Sequence, residues 1–171
     1  PMEYTPGAMN SMQPDNYSAR RPNSASIGTR AYQMALFVVF ESGLQMLADN
    51  PTLYYNNEDC IKFISSVPVL WDETKVLDAK LGEHLVLAKR NADKWYLGGM
   101  TAERKEPLEM DVVLDFLPEG KTYKLTSFED GSNADRQAMH YTKNVREVRK
   151  GDTVKIRMVL NGGYAASLEA L

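Results

Sequence analysis

The sequence holds 171 residues, carries a net charge of −3 and contains one cysteine. That length makes one domain, or a small domain with an appendage. Intermixed acids and bases leave no basic stripe for nucleic acid, and the lone cysteine, Cys60, excludes an intrachain disulfide or a multi-cysteine metal site. The longest apolar run, Ala35 to Phe40, falls far short of the roughly 20 residues of a membrane-spanning helix.

The chain opens on PMEYTPGAM, with no initiator methionine and no charged or apolar leader. Met2, Tyr4 and Met9 read as a short strand running into a Pro6-Gly7 turn, as in a chain cut from something longer. Residues 13–26, QPDNYSARRPNSAS, are nearly devoid of aliphatic side chains and predict a long surface loop. A helix is predicted from about Ser26 to Ala48, capped by Ser24 or Ser26 and stopped by Asp49-Asn50-Pro51. Its apolar residues, among them Met34, Leu36, Phe37, Val38, Phe40 and Leu44, surround the axis, so the helix is expected to be buried all round. The only other helix of this half, about Asn57 to Ser66 with Ile61, Phe63, Ile64 and Val67 inward, is too short to enclose it. Its cover must come from elsewhere.

Composition changes near Trp71. From there HLVLAKR, KWYLGGMT, LEMDVVLDFL, TYKLTSFE, REVRK, TVKIRMVL and YAASLEAL read as short strands, separated by turn signals such as Pro118-Glu119-Gly120, Lys150-Gly151-Asp152 and Asn161-Gly162-Gly163. No helical spacer stands between most of them, which predicts antiparallel pairing in a two-sheet sandwich. Trp71 sits where the two halves meet. It reads as the apolar plug of that seam rather than as a sugar platform beside Asp72 and Glu73.

Chemistry is sparse. His84 and His140 lack a histidine or cysteine at ligand spacing, and Cys60 reads as a buried, inert thiol. Glu129, Asp130, Asn133 and Asp135 fall within seven residues, yet without the twelve-residue ligand frame of a calcium loop, so a turn fixed by Arg136 is the better reading. LGGM and NGGY precede no helix and are not phosphate loops. Trp95 and Tyr96 are adjacent in a strand and face opposite ways, so at most one of them can stack on a sugar.

The segments PMEYTPGAM, GTRAYQMALFVVFESGLQMLADNP, FISSVPVLWDETKVLDAKLGEHLVLAKR, WYLGGMT, DGSNADR and LNGGYAASL, in this order, resemble the C-terminal part of family 97 glycoside hydrolases, bacterial α-glucosidases and α-galactosidases. The resemblance implies an α+β chain: the last strand and helix of a (β/α)8 barrel over residues 1–55, a linking helix over 56–70, and an antiparallel C-terminal β-sandwich over 71–171. It implies an exo-acting α-glycosidase whose catalytic residues and calcium ligands lie upstream of Pro1, so that the chain by itself has no catalytic residue, holds no metal and is inactive. Oligosaccharide substrate and the remainder of the parent chain are the implied partners, and a periplasmic or secreted location the implied compartment. Glu3 and Tyr4 are the candidate substrate-binding residues, at the barrel mouth, although the family usually carries Asp where Glu3 stands and Arg-Asn where Asn10-Ser11 stands. Trp71, Phe37 and Phe40 are the candidate domain-interface residues, and an uncovered face around Phe37, Val38 and Phe40 would favour self-association. A stand-alone carbohydrate-binding or structural sandwich is the alternative.

Overall fold

A computed structural model describes residues 4–20, 25–102 and 106–171. Two short parallel strands, β1 (Ser11–Met12) and β2 (Ser26–Ile27), precede three helices, α1 (Arg30–Val39), α2 (Pro51–Tyr55) and α3 (Glu58–Ser66). Eight strands follow: β3 (Glu73–Lys80), β4 (His84–Asn91), β5 (Lys94–Thr101), β6 (Leu108–Val113), β7 (Thr122–Asp130), β8 (Tyr141–Arg149), β9 (Thr153–Met158) and β10 (Gly163–Ala170). Six of them form one antiparallel sheet in the order β3-β4-β5-β10-β7-β8, and β6 and β9 form a second, two-stranded sheet. The antiparallel two-sheet sandwich expected from the turn spacing is present. A third layer, of helices, covers the other face of the large sheet over its central strands.

Three layers account for the apolar runs in β4 and β5. Side chains alternate across a strand, so a central strand covered on both faces needs apolar residues at every position. Val86, Ala88, Trp95, Leu97, Tyr164 and Leu168 enter the core shared with β6 and β9, where they meet Val112, Val154 and Ile156. Leu87, Tyr96, Phe128 and Ala165 turn the other way, onto α1 and α3. Trp95 and Tyr96 are each only 2% exposed, so neither ring is open to a sugar. The edge strand β3 carries charged residues and a register shift between Val76 and Asp78. Both features discourage edge-to-edge pairing. The set of strands, expected to begin near Trp71, does so with β3 at Glu73. The strand predicted over REVRK begins earlier, at Tyr141.

The predicted helix over 26–48 is shorter, spanning Arg30 to Val39. Its cap is Thr29, whose hydroxyl oxygen accepts from the Tyr32 amide at 3.0 Å. Ser26 lies in β2, and Ser24 falls outside the described residues. Beyond Phe40, Ser42 Oγ donates to the Leu44 carbonyl at 2.8 Å and turns the chain. Leu44 and Leu47 are then 60% and 43% exposed. They have no surface to dock on, and a short helix without packing does not persist. Asn50-Pro51 proves to be a start, not a stop. Asn50 caps α2 through the Leu53 amide at 3.2 Å, with Pro51 in the first turn, where its missing N–H costs nothing.

The prediction that α1 is buried all round holds, since every residue from Gln33 to Val39 is buried. Its cover is the large sheet of the same chain. Phe37 and Val38 are 2% and 0% exposed, and Phe40 is half-buried with its ring edge-on to Tyr4 at 5.6 Å. The expectation that Phe37, Val38 and Phe40 form an open face for self-association is thereby corrected. The two glycine pairs explain how closely α1 lies. A Cβ on Gly98 would come within 2.9 Å of Val39 Cγ2, and one on Gly163 within 2.3 Å of the Tyr32 Cα. Both glycines let the helix backbone approach the sheet beyond what any side chain permits.

Candidate functional site

Of the two candidate substrate-binding residues, Glu3 lies outside the described residues. Tyr4 donates its hydroxyl to the Leu36 carbonyl at 3.2 Å and accepts from Gln45 Nε2 at 3.3 Å. Burial raises its pKa, opposed by the Gln45 hydrogen bond. Past a single bridge to Gln45, the segment from Tyr4 to Asn10 has no strand ladder. Buried backbone groups must be paired somewhere, and side chains of the helical layer do it. Gln33 Oε1 accepts from the Gly7 and Ala8 amides at 3.1 and 3.4 Å, and Asp49 Oδ2 from those of Met9 and Asn10 at 2.5 and 3.2 Å. Tyr54 donates to the Gly7 carbonyl at 3.0 Å, and Arg30 to that of Met9 through Nε and Nη2 at 3.2 and 2.8 Å. The result is a fixed extended arm on α1. Nothing in the sequence pattern marked Gln33, Asp49 or Arg30 for this task.

Trp71 lies between the end of α3 and the large sheet. Its ring meets Tyr96 edge-on at 5.5 Å, and the Tyr96 hydroxyl donates to the Ser66 carbonyl at 2.6 Å, which ties the end of α3 to β5. Lys89 completes the joint. Its ammonium lies 5.3 Å from the Trp71 ring centroid, donates to the Val39 carbonyl at 3.2 Å and pairs with the exposed Glu41 at 3.1 Å. Desolvation lowers the Lys89 pKa, with Glu41 opposing. A lysine in an alternating apolar strand reads as a surface residue, so its burial was not legible.

The acid cluster resolves into one buried carboxylate and a surface turn. Asp130 Oδ2 accepts from the Val159 and Gly163 amides at 2.9 and 3.1 Å. Burial pushes its pKa up to about 6, while hydrogen bonds from Thr29, Val159 and Gly163 and the charge of Arg157 act against the shift. The carboxylate fixes the turn before β10 beneath the cap of α1. Asn133 bonds His140, and Arg136 pairs only with its exposed neighbour Asp135 at 3.8 Å. His84 Nε2 lies 3.1 Å from Asp78 Oδ2. Cys60 is fully buried, and its thiol pKa is raised by desolvation, then lowered in part by a hydrogen bond with Tyr141. Among the described residues, no three His, Cys, Asp or Glu side chains gather in a way that could hold a metal ion.

The geometry is that of a β-sandwich docked on a helical layer, with its polar groups spent on joints between layers. The family model for the glycosyl-hydrolase 97 C-terminal domain, described as serving oligomerisation, matches residues 70–169, and the chain belongs to this family. It is 39% identical over 169 residues to a retaining alpha-galactosidase of Bacteroides thetaiotaomicron, covering 99% of this chain and 25% of that protein. A probable retaining alpha-galactosidase of Streptomyces bingchenggensis is 32% identical over 165 residues, covering 96% of this chain and 23% of its own. Among solved structures, a family 97 glycoside hydrolase of a Pseudoalteromonas species in complex with acarbose superposes with a TM-score of 0.78 at 33% identity, over 84% of this chain and 23% of that one. A beta-arabinopyranosidase superposes at 0.74 with 25% identity, over 97% of this chain and 25% of that one. The chain thus spans about a quarter of the length of these relatives.

Proposed function

We propose that this chain is the C-terminal portion of a bacterial glycoside hydrolase that releases terminal α-galactosyl residues with retention. The 39% identity to a retaining alpha-galactosidase over almost the whole chain carries this reading. On it, residues 1–55 close a (β/α)8 barrel as its last strand and helix, residues 56–70 link, and residues 71–171 form the sandwich that supports the barrel. Glu3 and Tyr4 are then the candidate residues of the barrel mouth, at the strand end where such barrels place functional groups, and the arm held by Gln33, Asp49 and Arg30 follows directly on Tyr4. Retention needs two carboxyl groups about 5 Å apart across the scissile bond. Asp130, the one carboxyl raised by burial among the described residues, is committed to backbone amides. On the family resemblance the catalytic pair belongs to the rest of the polypeptide, together with any calcium ligands. Export to the periplasm or medium follows from the resemblance, and a part in subunit association from the family's description.

The test compares this chain with the polypeptide encoded together with its upstream sequence, on nitrophenyl α-galactoside, α-glucoside and β-arabinopyranoside. The longer protein should turn over the α-galactoside and the lone chain none of the three. A longer protein inert on every substrate sinks the reading. Turnover by the lone chain would place catalytic residues here.

A further inference from the structure

Among the described residues the helical layer is one helix short of covering the large sheet. In the large sheet α1 runs diagonally from Gly163 on β10, under Tyr32, to Gly98 on β5, under Val38 and Val39. Beside it α3 follows the same course one lane over, from Lys143 on β8, paired with Asp59 at 2.6 Å, past Phe128 on β7 to Tyr96 on β5. Strands are spaced about 4.8 Å apart and packed helices 8–10 Å, so one helix covers roughly two strands. A six-stranded sheet accommodates three. The third lane, on the far side of α1 over β3 and β4, is left open by the described residues.

That lane is apolar. On the helix-facing side of the sheet Val76 pairs with Leu87, Ala79 with Leu85, and Leu85 with Met100. Leu87 is covered by the existing layer, but Val76 is 62% exposed and Leu81, in the turn between β3 and β4, is fully exposed. Ala79, Leu81, Leu85 and Met100, with Tyr32 of α1 as one wall, line a hollow of about 590 Å³. A second copy of this chain is poorly equipped to fill it. Its α1 and α3 are already buried against its own sheet, and α2 is five residues long. The relatives, by contrast, carry about three quarters of their length outside the matched part.

We propose that this lane seats an amphipathic α-helix from the remainder of the same polypeptide, lying alongside α1 with its apolar stripe on Val76, Leu81, Leu85 and Met100. The proposal rests on the reading that the chain is part of a longer hydrolase.

Methionine oxidation reads the seat directly. Met100 is half-buried here, Met139 is 44% exposed, and Met34 and Met158 are fully buried. In this chain alone, peroxide should oxidise Met139 and Met100 and spare Met34 and Met158. In the polypeptide extended upstream, Met100 should become protected while Met139 stays reactive. Val76→Glu with Leu81→Glu should leave the melting temperature of the lone chain unchanged and lower that of the longer protein by several degrees. Equal oxidation of Met100 in both proteins overturns the proposal. So does protection that appears in the lone chain as its concentration rises, which would put a second copy in the lane. Protection of Met100 in a longer protein that cleaves no glycoside would leave the seat standing and remove the proposed activity.

Discussion

The ammonium of Lys89 donates to the carbonyl of Val39 at 3.2 Å, joining β4 to the last residue of α1 across fifty positions of sequence. A cation at a helix C-terminus satisfies a carbonyl that has no partner within the helix and opposes the negative end of its dipole. The side chain is 1% exposed, whereas its partner Glu41 is 66% exposed. The contact with the helix end is therefore the part shielded from water.

Lys89→Ala should cost about 2 kcal/mol or more through the cavity it leaves at the seam. Lys89→Met, of similar shape and uncharged, should cost much less, since replacing a buried charge by a hydrophobe is often close to neutral. The pH dependence separates the two effects. Desolvation depresses the folded-state pKa of this base, so the unfolded chain holds the proton to higher pH, and stability rises as pH climbs from the folded toward the unfolded pKa. Buried tyrosines such as Tyr141 and Tyr164, whose pKa values are raised by desolvation, pull the other way, so the Lys89 contribution is read as a difference: across the alkaline range the urea midpoint of the parent should gain on that of Lys89→Met.

Asp130 predicts a slope of opposite sense. Its folded-state pKa is raised from 3.8 to about 6, so the folded state binds the proton more tightly, and stability falls as pH rises from about 4 to about 6. The difference corresponds to roughly 3 kcal/mol over that window. Asp130→Asn keeps an acceptor for the Val159 and Gly163 amides and should flatten the slope in denaturant titrations at pH 4, 5, 6 and 7. A slope that persists in the variant would mean that another group titrates there.

Gly163→Ala should be far more damaging than Gly98→Ala. The added methyl meets the backbone of α1 at Tyr32 in the first case and mostly side-chain atoms of Val38 and Val39 in the second. Side chains can yield and a helix backbone cannot, so Gly98→Ala falls within the roughly 1–3 kcal/mol of ordinary overpacking while Gly163→Ala exceeds it. Thermal melts of both variants beside the parent decide the ranking.

Trp71→Ala should cost about 2 kcal/mol, less than the roughly 3–5 of a fully buried ring, because Trp71 is only half-buried. Trp71→Phe keeps an aromatic edge toward Tyr96 and should recover most of the loss. An unchanged melting temperature in Trp71→Ala would show that the Tyr96 and Lys89 contacts contribute nothing to the seam.

Local pattern carried the sandwich, because β4, β5 and β7 combine β-branched and aromatic residues with clear turn signals on either side. It carried the seam as well, since a tryptophan at a change of composition has few other uses. Apolar content alone could not show where α1 ends. Leu44, Met46 and Leu47 continue the apolar run of the helix, and only the absence of anything to pack against stops it. The joints made by Lys89, Asp130, Gln33 and Asp49 were invisible for a related reason. Each bonds backbone groups that lie far away along the chain, and nothing in the local spacing of a polar residue distinguishes such a role from a solvated one.

The position of β10 also constrains how the molecule is made. This strand, Gly163–Ala170, sits at the centre of the large sheet, hydrogen-bonded to β5 on one side and β7 on the other, yet it follows all its sheet neighbours in chain order. During synthesis β3, β4 and β5 leave the ribosome as one group and β7 and β8 as another, with no central strand to join them and no Gly163 for α1 to settle on. Both groups must wait with apolar faces open until β10 emerges. Loss of β10 would therefore split the sheet down its middle instead of trimming an edge.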